Sequence, residues 1–425
     1  MSLVKKCLIA TTAITLVGCN SSYVKSVQKN RGGEAQIFSS AELADNSRPN
    51  DATISLAEYR RLSFTSSLKA NGNAYIIRPK GNAVDFPETP NPVSASLEQE
   101  LAEGFILSYL FYDNGVIKYN GLAKSGRFDR DITDQTLFFT HSTGKTIVSY
   151  IVGHAICKGY IDSVDEPVNW PMMSNTLYQG QPLKNLLDMS AGDSHLYDRD
   201  TVRPLAAGGQ HHRSIGHDTL AHYLDGTVSK GSSVHYNNAL TDIIASYVAY
   251  KTGDDYDELI RSIFQDKVKI ENEVLFELHR KSWTNGSKSP YYGDMQTRAS
   301  YSFQMTSKDL LRVAVAMLED YQNGTCVGNY LKDVQARAKS WPKYNPIDRK
   351  RHFWLLNYAR DYGGQIYWAF YGMSGRNILG TDGRNGQHFL IDLDNSKIVV
   401  TNSANVGFDV RHFLLNAIKN GEVPK

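Results

Sequence analysis

Two stretches far apart in the 425-residue chain carry the same signal, β-rich runs around a short polar turn. Phe105 to Tyr112 and Val116 to Tyr119 flank Asp113-Asn114-Gly115. Asn-Gly is the dipeptide a two-residue hairpin turn favours, because both central residues need positive φ. Near the other end, Phe389-Leu390-Ile391-Asp392 and Lys397-Ile398-Val399-Val400-Thr401 repeat the pattern around Leu393-Asp394-Asn395-Ser396, with a closing helix from Val410 to Ile418. Sheet at both ends and helical patterns between them point to an α/β (α+β) body wrapped around an inserted, mainly helical subdomain at about 160–300.

The helical signals are specific. From Thr146 to Lys158, the residues Ile147, Val148, Ile151, Val152, Ala155 and Ile156 fall on one stripe, and Gly159 follows as a C-terminal cap. Ser307 to Tyr321 is a second amphipathic helix, and Ala239 to Tyr250 a third helical run. With 41% apolar and 21% charged residues the composition is that of an ordinary globular protein, and no internal repeat is present.

The first residues differ from the rest. Lys5 and Lys6 precede an apolar run from Cys7 to Val17, too short to span a bilayer as a helix and typical of an export signal. The run closes on Leu16-Val17-Gly18-Cys19, which resembles the lipobox of bacterial lipoproteins and implies cleavage before Cys19 and lipidation of its sulfur. The expected organisation is a signal peptide over 1–18, a Ser/Asn/Gly-rich tether over 19–50 and a folded domain over 51–425. Asn20 after the cysteine, by resemblance to Gram-negative lipoproteins, implies the periplasmic face of the outer membrane. The exported part loses Lys5 and Lys6 from 46 basic residues and none of the 44 acidic ones, so the charges balance and no nucleic-acid footprint remains. Cys157 and Cys326 are then the cysteines left over, as a disulfide or as two buried thiols.

Ser142-Thr143-Gly144-Lys145 stands at the start of the buried helix, which puts the serine near its positive end and the lysine on the same face three residues on. A serine hydroxyl is too weak an acid to attack a carbonyl unaided; a lysine whose charged form is disfavoured by burial can take its proton. The spacing alone says little, since it also begins at Ser2, Ser22, Ser26, Ser66 and Ser340. Context selects Ser142, because the first three lie in signal or tether, Ser66 lacks a following apolar stripe, and Pro342 disfavours a helix through the last. A second element, Tyr236-Asn237-Asn238, opens the Ala239 helix, whereas Tyr112-x-Asn114 and Tyr321-x-Asn323 are better explained as turn and helix-end residues.

With these motifs in this order, the chain resembles the superfamily of serine β-lactamases, D-alanyl-D-alanine carboxypeptidases and related esterases, nearest its class C branch. Supporting segments are Phe139-Thr140-His141, Gly159-Tyr160-Ile161-Asp162, Asp165-Glu166-Pro167-Val168, Leu186-Leu187-Asp188-Met189-Ser190-Ala191-Gly192 and Thr306-Ser307-Lys308-Asp309-Leu310, a similarity over about 100–415. The resemblance implies a β-lactamase/transpeptidase-like fold, an antiparallel sheet flanked by helices. It also implies that Tyr236 shares proton transfer with Lys145, and that Asn238 supports the lysine and the substrate's amide carbonyl.

The family's third motif, Lys or His, any residue, then Gly, is missing from the strand before Phe389. Lys251-Thr252-Gly253 reads as a helix end with a glycine cap. Two registers are open, Ile378-Leu379-Gly380-Thr381 and Thr381-Asp382-Gly383. In either, a backbone N–H near Thr381 pairs with that of Ser142 as an oxyanion hole, which needs donors and no particular side chain. Ile378 and Gly380 are then candidate substrate contacts. Loss of the usual cation disfavours β-lactam or peptide carboxylates and favours esters or amides, as in enzymes resembling the 6-aminohexanoate-dimer hydrolases; Arg376 and Arg384 are candidate replacements against a reading as solvated loop arginines.

Glu166 reads as part of an acidic loop in preference to a deacylating base. His211, His212, His217, His222 and His235 form no metal-ligand pattern and read as a polar loop, so no metal is expected. The expected function is hydrolysis of a small ester or amide through an acyl-enzyme on Ser142, with no cofactor. The alternatives are a carboxypeptidase or β-lactamase acting on cell-wall peptides or β-lactams, and a non-catalytic lipoprotein that binds peptidoglycan or a partner.

Overall fold

A computed structural model describes residues 74–128, 131–173, 176–192, 238–280, 299–341, 355–404 and 408–425, with Lys69, Val234, Tyr236 and Met295–Thr297. Its strands are β1 (Ala74–Ile77), β2 (Ile106–Asp113), β3 (Val116–Leu122), β4 (Phe138–Phe139), β5 (Val274–Arg280), β6 (Met295–Thr297), β7 (Gln304–Met305), β8 (Lys339–Ser340), β9 (Ala359–Gly363), β10 (Ile366–Phe370), β11 (Ile378–Gly380), β12 (His388–Asp392) and β13 (Lys397–Ser403). The eight-stranded sheet runs β3-β2-β13-β12-β11-β10-β9-β8 and is antiparallel throughout. The two sequence hairpins are therefore neighbours, joined where Val400 pairs with Leu110. Asn114 and Gly115 both take positive φ, 47° and 89°, as their turn requires.

The helices are α1 (Ala95–Glu103), α2 (Thr143–Cys157), α3 (Leu183–Leu187), α4 (Asn238–Thr252), α5 (Tyr256–Arg261), α6 (Ser307–Asn323), α7 (Cys326–Ala336) and α8 (Asn416–Asn420). Helix α6 packs on β2, β12 and β13, and α8 on β12 and β13. The apolar stripe of α2 is buried from Ile147 to Ala155, with Ile156 half-buried, and Gly159 just beyond its end has φ 79°. At roughly 1.5–3 kcal/mol per buried aliphatic side chain, that stripe holds α2 in the core. A disulfide between Cys157, at the end of α2, and Cys326, at the start of α7, resolves the choice the sequence left open.

Besides its helices, the 160–300 segment supplies β5 and β6, which join β1, β7 and β4 in a second antiparallel sheet. The signal peptide, the tether, Cys19 and the five histidines fall outside the described residues.

Candidate active site

Backbone geometry presents the serine. Thr140 donates its N–H to Phe303 O, and His141, immediately before Ser142, sits in the left-handed region at φ 48°. That conformation costs a non-glycine residue on the order of 1–3 kcal/mol, and such strain is held only where the surroundings over-determine it. Ser142 is half-buried and precedes the first residue of α2, yet its hydroxyl makes no capping hydrogen bond. The oxygen instead accepts from Lys145 Nζ at 3.2 Å.

Lys145 is 1% exposed. Besides Ser142, its Nζ donates to Asn238 Oδ1 at 2.7 Å and to the Ser300 carbonyl at 2.9 Å, and it stands 5.0 Å from the centre of the Tyr236 ring. Burial pushes the amine down to about 7, against the opposing pull of the Asp242 carboxylate. This geometry has a direct chemical consequence. Two of the three acceptors are carbonyl oxygens, which cannot donate, so a neutral amine gives them its two N–H bonds and turns its lone pair to Ser142 Oγ.

The structure thus brings Ser142, Lys145, Tyr236 and Asn238 together from elements distant in sequence. Behind Tyr236 stands an aromatic wall: its ring lies 6.0 Å from that of Trp341 and 6.1 Å from that of Tyr362. Sequence reasoning missed Ser300 and Asp242, whose carboxylate accepts from Ser300 N–H at 2.9 Å. A signal for Asp242 existed, since it is the sole charged residue between Asn238 and Tyr250 and follows Asn238 by one helical turn.

The register of the third motif follows from close contacts. A Cβ on Gly380 would meet the side chains of Phe370 and Leu390, so this glycine serves the sheet's own packing, and Ile378 is likewise fully buried. A Cβ on Gly383 would clash with the Thr140 carbonyl, so Gly383 lets the chain after β11 approach the turn before Ser142. Thr143 Oγ1 bridges the same join, 3.0 Å from Thr381 Oγ1 and 2.8 Å from Gln387 O. The segment against the Ser142 turn is therefore Thr381-Asp382-Gly383, and Ile378 and Gly380, buried in the sheet, are set aside as substrate contacts. Thr381 also loses its place as oxyanion donor, because its N–H is committed to Phe389 O at 3.0 Å. Among the described residues no acceptor takes the N–H of Ser142 or of Arg384, the residue after Gly383.

Arg376 does not face this site. Its guanidinium pairs with buried Asp392 and donates to the carbonyls of Ile418 and Lys419, joining β12 to the C-terminal helix. Arg384 is exposed. Asp382 is buried, accepts from Leu356 N–H at 2.6 Å, and burial pushes its carboxyl up to about 7. His388 stands beside it with Nδ1 3.1 Å from Thr381 O, and burial pushes its imidazole down to about 4. Glu166 is held by the Tyr247 hydroxyl, by Lys251 at 2.9 Å and by Asp162 N–H at 2.7 Å, a structural anchor towards the far end of α4. No group of three or more metal-ligating side chains occurs among the described residues.

A half-buried serine stands against a buried lysine on a helix under an antiparallel sheet, and the chain has a β-lactamase/transpeptidase-like fold. Compared by sequence, it matches no family model and no curated protein. Compared by structure, it resembles "Putative 6-aminohexanoate-dimer hydrolase from Bacillus anthracis" with a TM-score of 0.54 at 16% identity, over 82% of this chain and 89% of that one. It also resembles the unliganded simvastatin synthase LovD from Aspergillus terreus, with a TM-score of 0.50 at 13% identity, over 73% of this chain and 90% of the other.

Proposed function

We propose that the chain is a serine hydrolase that cleaves a small ester or amide through an acyl-enzyme on Ser142. The observation that carries this reading is the Lys145 amine, buried and held so that its free valence faces Ser142 Oγ at 3.2 Å. Lys145 takes the hydroxyl proton as Oγ attacks the carbonyl carbon; the tetrahedral oxyanion is met by the N–H groups of Ser142 and Arg384. Tyr236 passes a proton to the departing alcohol or amine, and water then attacks the acyl-enzyme and regenerates Ser142.

Substrate preference follows from the third motif. Thr381 stands where a cation would pair with a substrate carboxylate, and the neighbouring acid, Asp382, is turned into the protein. Uncharged acyl groups therefore suit the site better than β-lactams or peptide carboxylates. The Bacillus anthracis protein of similar fold carries the name of an amide hydrolase, which agrees with an amide as one substrate class. The protein is exported and lipid-anchored through Cys19 at the cell envelope, on the periplasmic face of the outer membrane. The Cys157–Cys326 disulfide suits that oxidising compartment.

The test is intact mass after exposure to a fluorophosphonate and, separately, to a penicillin. A single fluorophosphonate adduct that disappears in Ser142→Ala, with little or no penicilloyl adduct, is expected. No adduct from either reagent would overturn the hydrolase reading, and rapid hydrolysis of a chromogenic cephalosporin would overturn the substrate preference.

A further inference from the structure

The lysine's surroundings contain an acid that the proposed chemistry does not use. Asp242 lies one turn along α4 from Asn238, on the same face, and is 7% exposed. Its Oδ1 accepts the Ser300 N–H at 2.9 Å, and the carbonyl of the same residue accepts from Lys145 Nζ at 2.9 Å. Ser300 is thus pinned on one side by a carboxylate and on the other by the base.

The segment carrying it is wedged between two helices. Ser246 Oγ on α4 lies 3.4 Å from Thr297 N, whose N–H it accepts. On the other side, a Cβ on Gly144 would come within 2.6 Å of Ala299 O, so the glycine between Ser142 and Lys145 lets this segment lie directly on the nucleophile helix. Phe303 O receives the Thr140 N–H just before the strained turn at His141. A displacement of Ser300 would therefore reach both the lysine and the turn that presents the serine.

We propose that Asp242 is a positioning residue for the Ser142–Lys145 pair: it fixes the Ser300 carbonyl that takes one N–H of the lysine. Its carboxylate also opposes release of the lysine's proton. This rests on the hydrolase reading. Geometry sets the plateau rate of acylation, because the lone pair faces Ser142 only while both carbonyl acceptors stay in place. Charge sets where acylation fails on the acid side. The other titratable groups around the lysine are Tyr236 at its face, Tyr362 behind that ring, and His141 on the nucleophile turn, with Asp382 and His388 beyond Thr143.

Asp242→Asn separates the two roles, since the amide oxygen still accepts from Ser300 while the charge is gone. The readout is the rate of fluorophosphonate labelling at Ser142 between pH 5 and 9. The expected result is a plateau near that of the wild type and an acid limb moved down by on the order of one pH unit, making labelling about tenfold faster at pH 5.5 relative to the plateau. Asp242→Glu keeps the charge but moves the acceptor; its limb stays in place and its plateau falls. It carries the test if the Asn variant does not fold. An Asn profile superimposable on the wild type, or a Glu variant with a full plateau, overturns this inference alone. Wild-type protein that takes no adduct overturns the hydrolase reading as well.

Discussion

Replacing Lys145 by methionine, of similar length but without charge, should change stability in a way that depends on pH. In the folded protein burial holds the amine at about 7, whereas in the unfolded chain it titrates near about 10.4. Between those values the unfolded state binds more protons than the native one, so the lysine destabilises the wild type, and this penalty shrinks as pH rises. At pH 7 it amounts to roughly 4 kcal/mol, from a displacement of about three pKa units at 1.36 kcal/mol each. Methionine removes the penalty but leaves Asn238 Oδ1 and Ser300 O without the donor they had, at about 1–3 kcal/mol per buried acceptor. The offset between the proteins at one pH therefore mixes opposing effects, but its change with pH isolates the titration. Urea unfolding of both proteins with the disulfide intact, at pH 7.5 and 9.5, should show the wild type gaining roughly 2–3 kcal/mol on the variant. A difference that stays constant across these pH values would refute a lysine titrating near neutrality. In the proposed reaction the same titration sets the rate of labelling. Labelling at pH 5 should be about 50-fold slower than at pH 7, because about one amine in a hundred is then neutral; an ordinary lysine would give a rate still climbing at pH 9.

Gly383→Ala places a methyl group against Thr140 O, so the segment after β11 must move away from the turn before Ser142. Loss of one oxyanion donor predicts acylation slower by about 10²–10³-fold, and a labelling rate within threefold of the wild type would remove Gly383 from the site. The double variant Cys157→Ser and Cys326→Ser opens a link between residues 169 apart in sequence and should cost roughly 2–5 kcal/mol in urea unfolding. Because Cys157 lies about 20 Å along α2 from Ser142, the labelling rate of the folded variant should be unchanged. An unaltered unfolding midpoint would contradict the stabilising role of the link.

What the sequence determined by itself is local. The stripe from Ile147 to Ile156 marks α2, the amphipathic pattern from Ser307 to Tyr321 marks α6, and Asn114-Gly115 forces a hairpin. Each works through neighbours a few residues away, where backbone geometry leaves little choice. The pairing of Ser142 with Lys145 is legible for the same reason, since one helical turn joins them. The third motif was not legible, because its register is set by the pairing of β11 with β10 and β12 and by the fit of Gly383 against Thr140. A strand's side chains alternate, so a shift of one residue exchanges its faces, and no nearby residue reports which face meets α2. Ser300 lies 155 positions from Lys145 and offers only a carbonyl, which every residue carries. Asp242 stands out as a charge in an apolar helix, but its partner is a backbone N–H that sequence does not name. The tertiary structure alone decided these contacts and the meeting of Cys157 with Cys326, because each depends on how distant elements pack, whereas Ser142 and Lys145 are placed by one turn of helix.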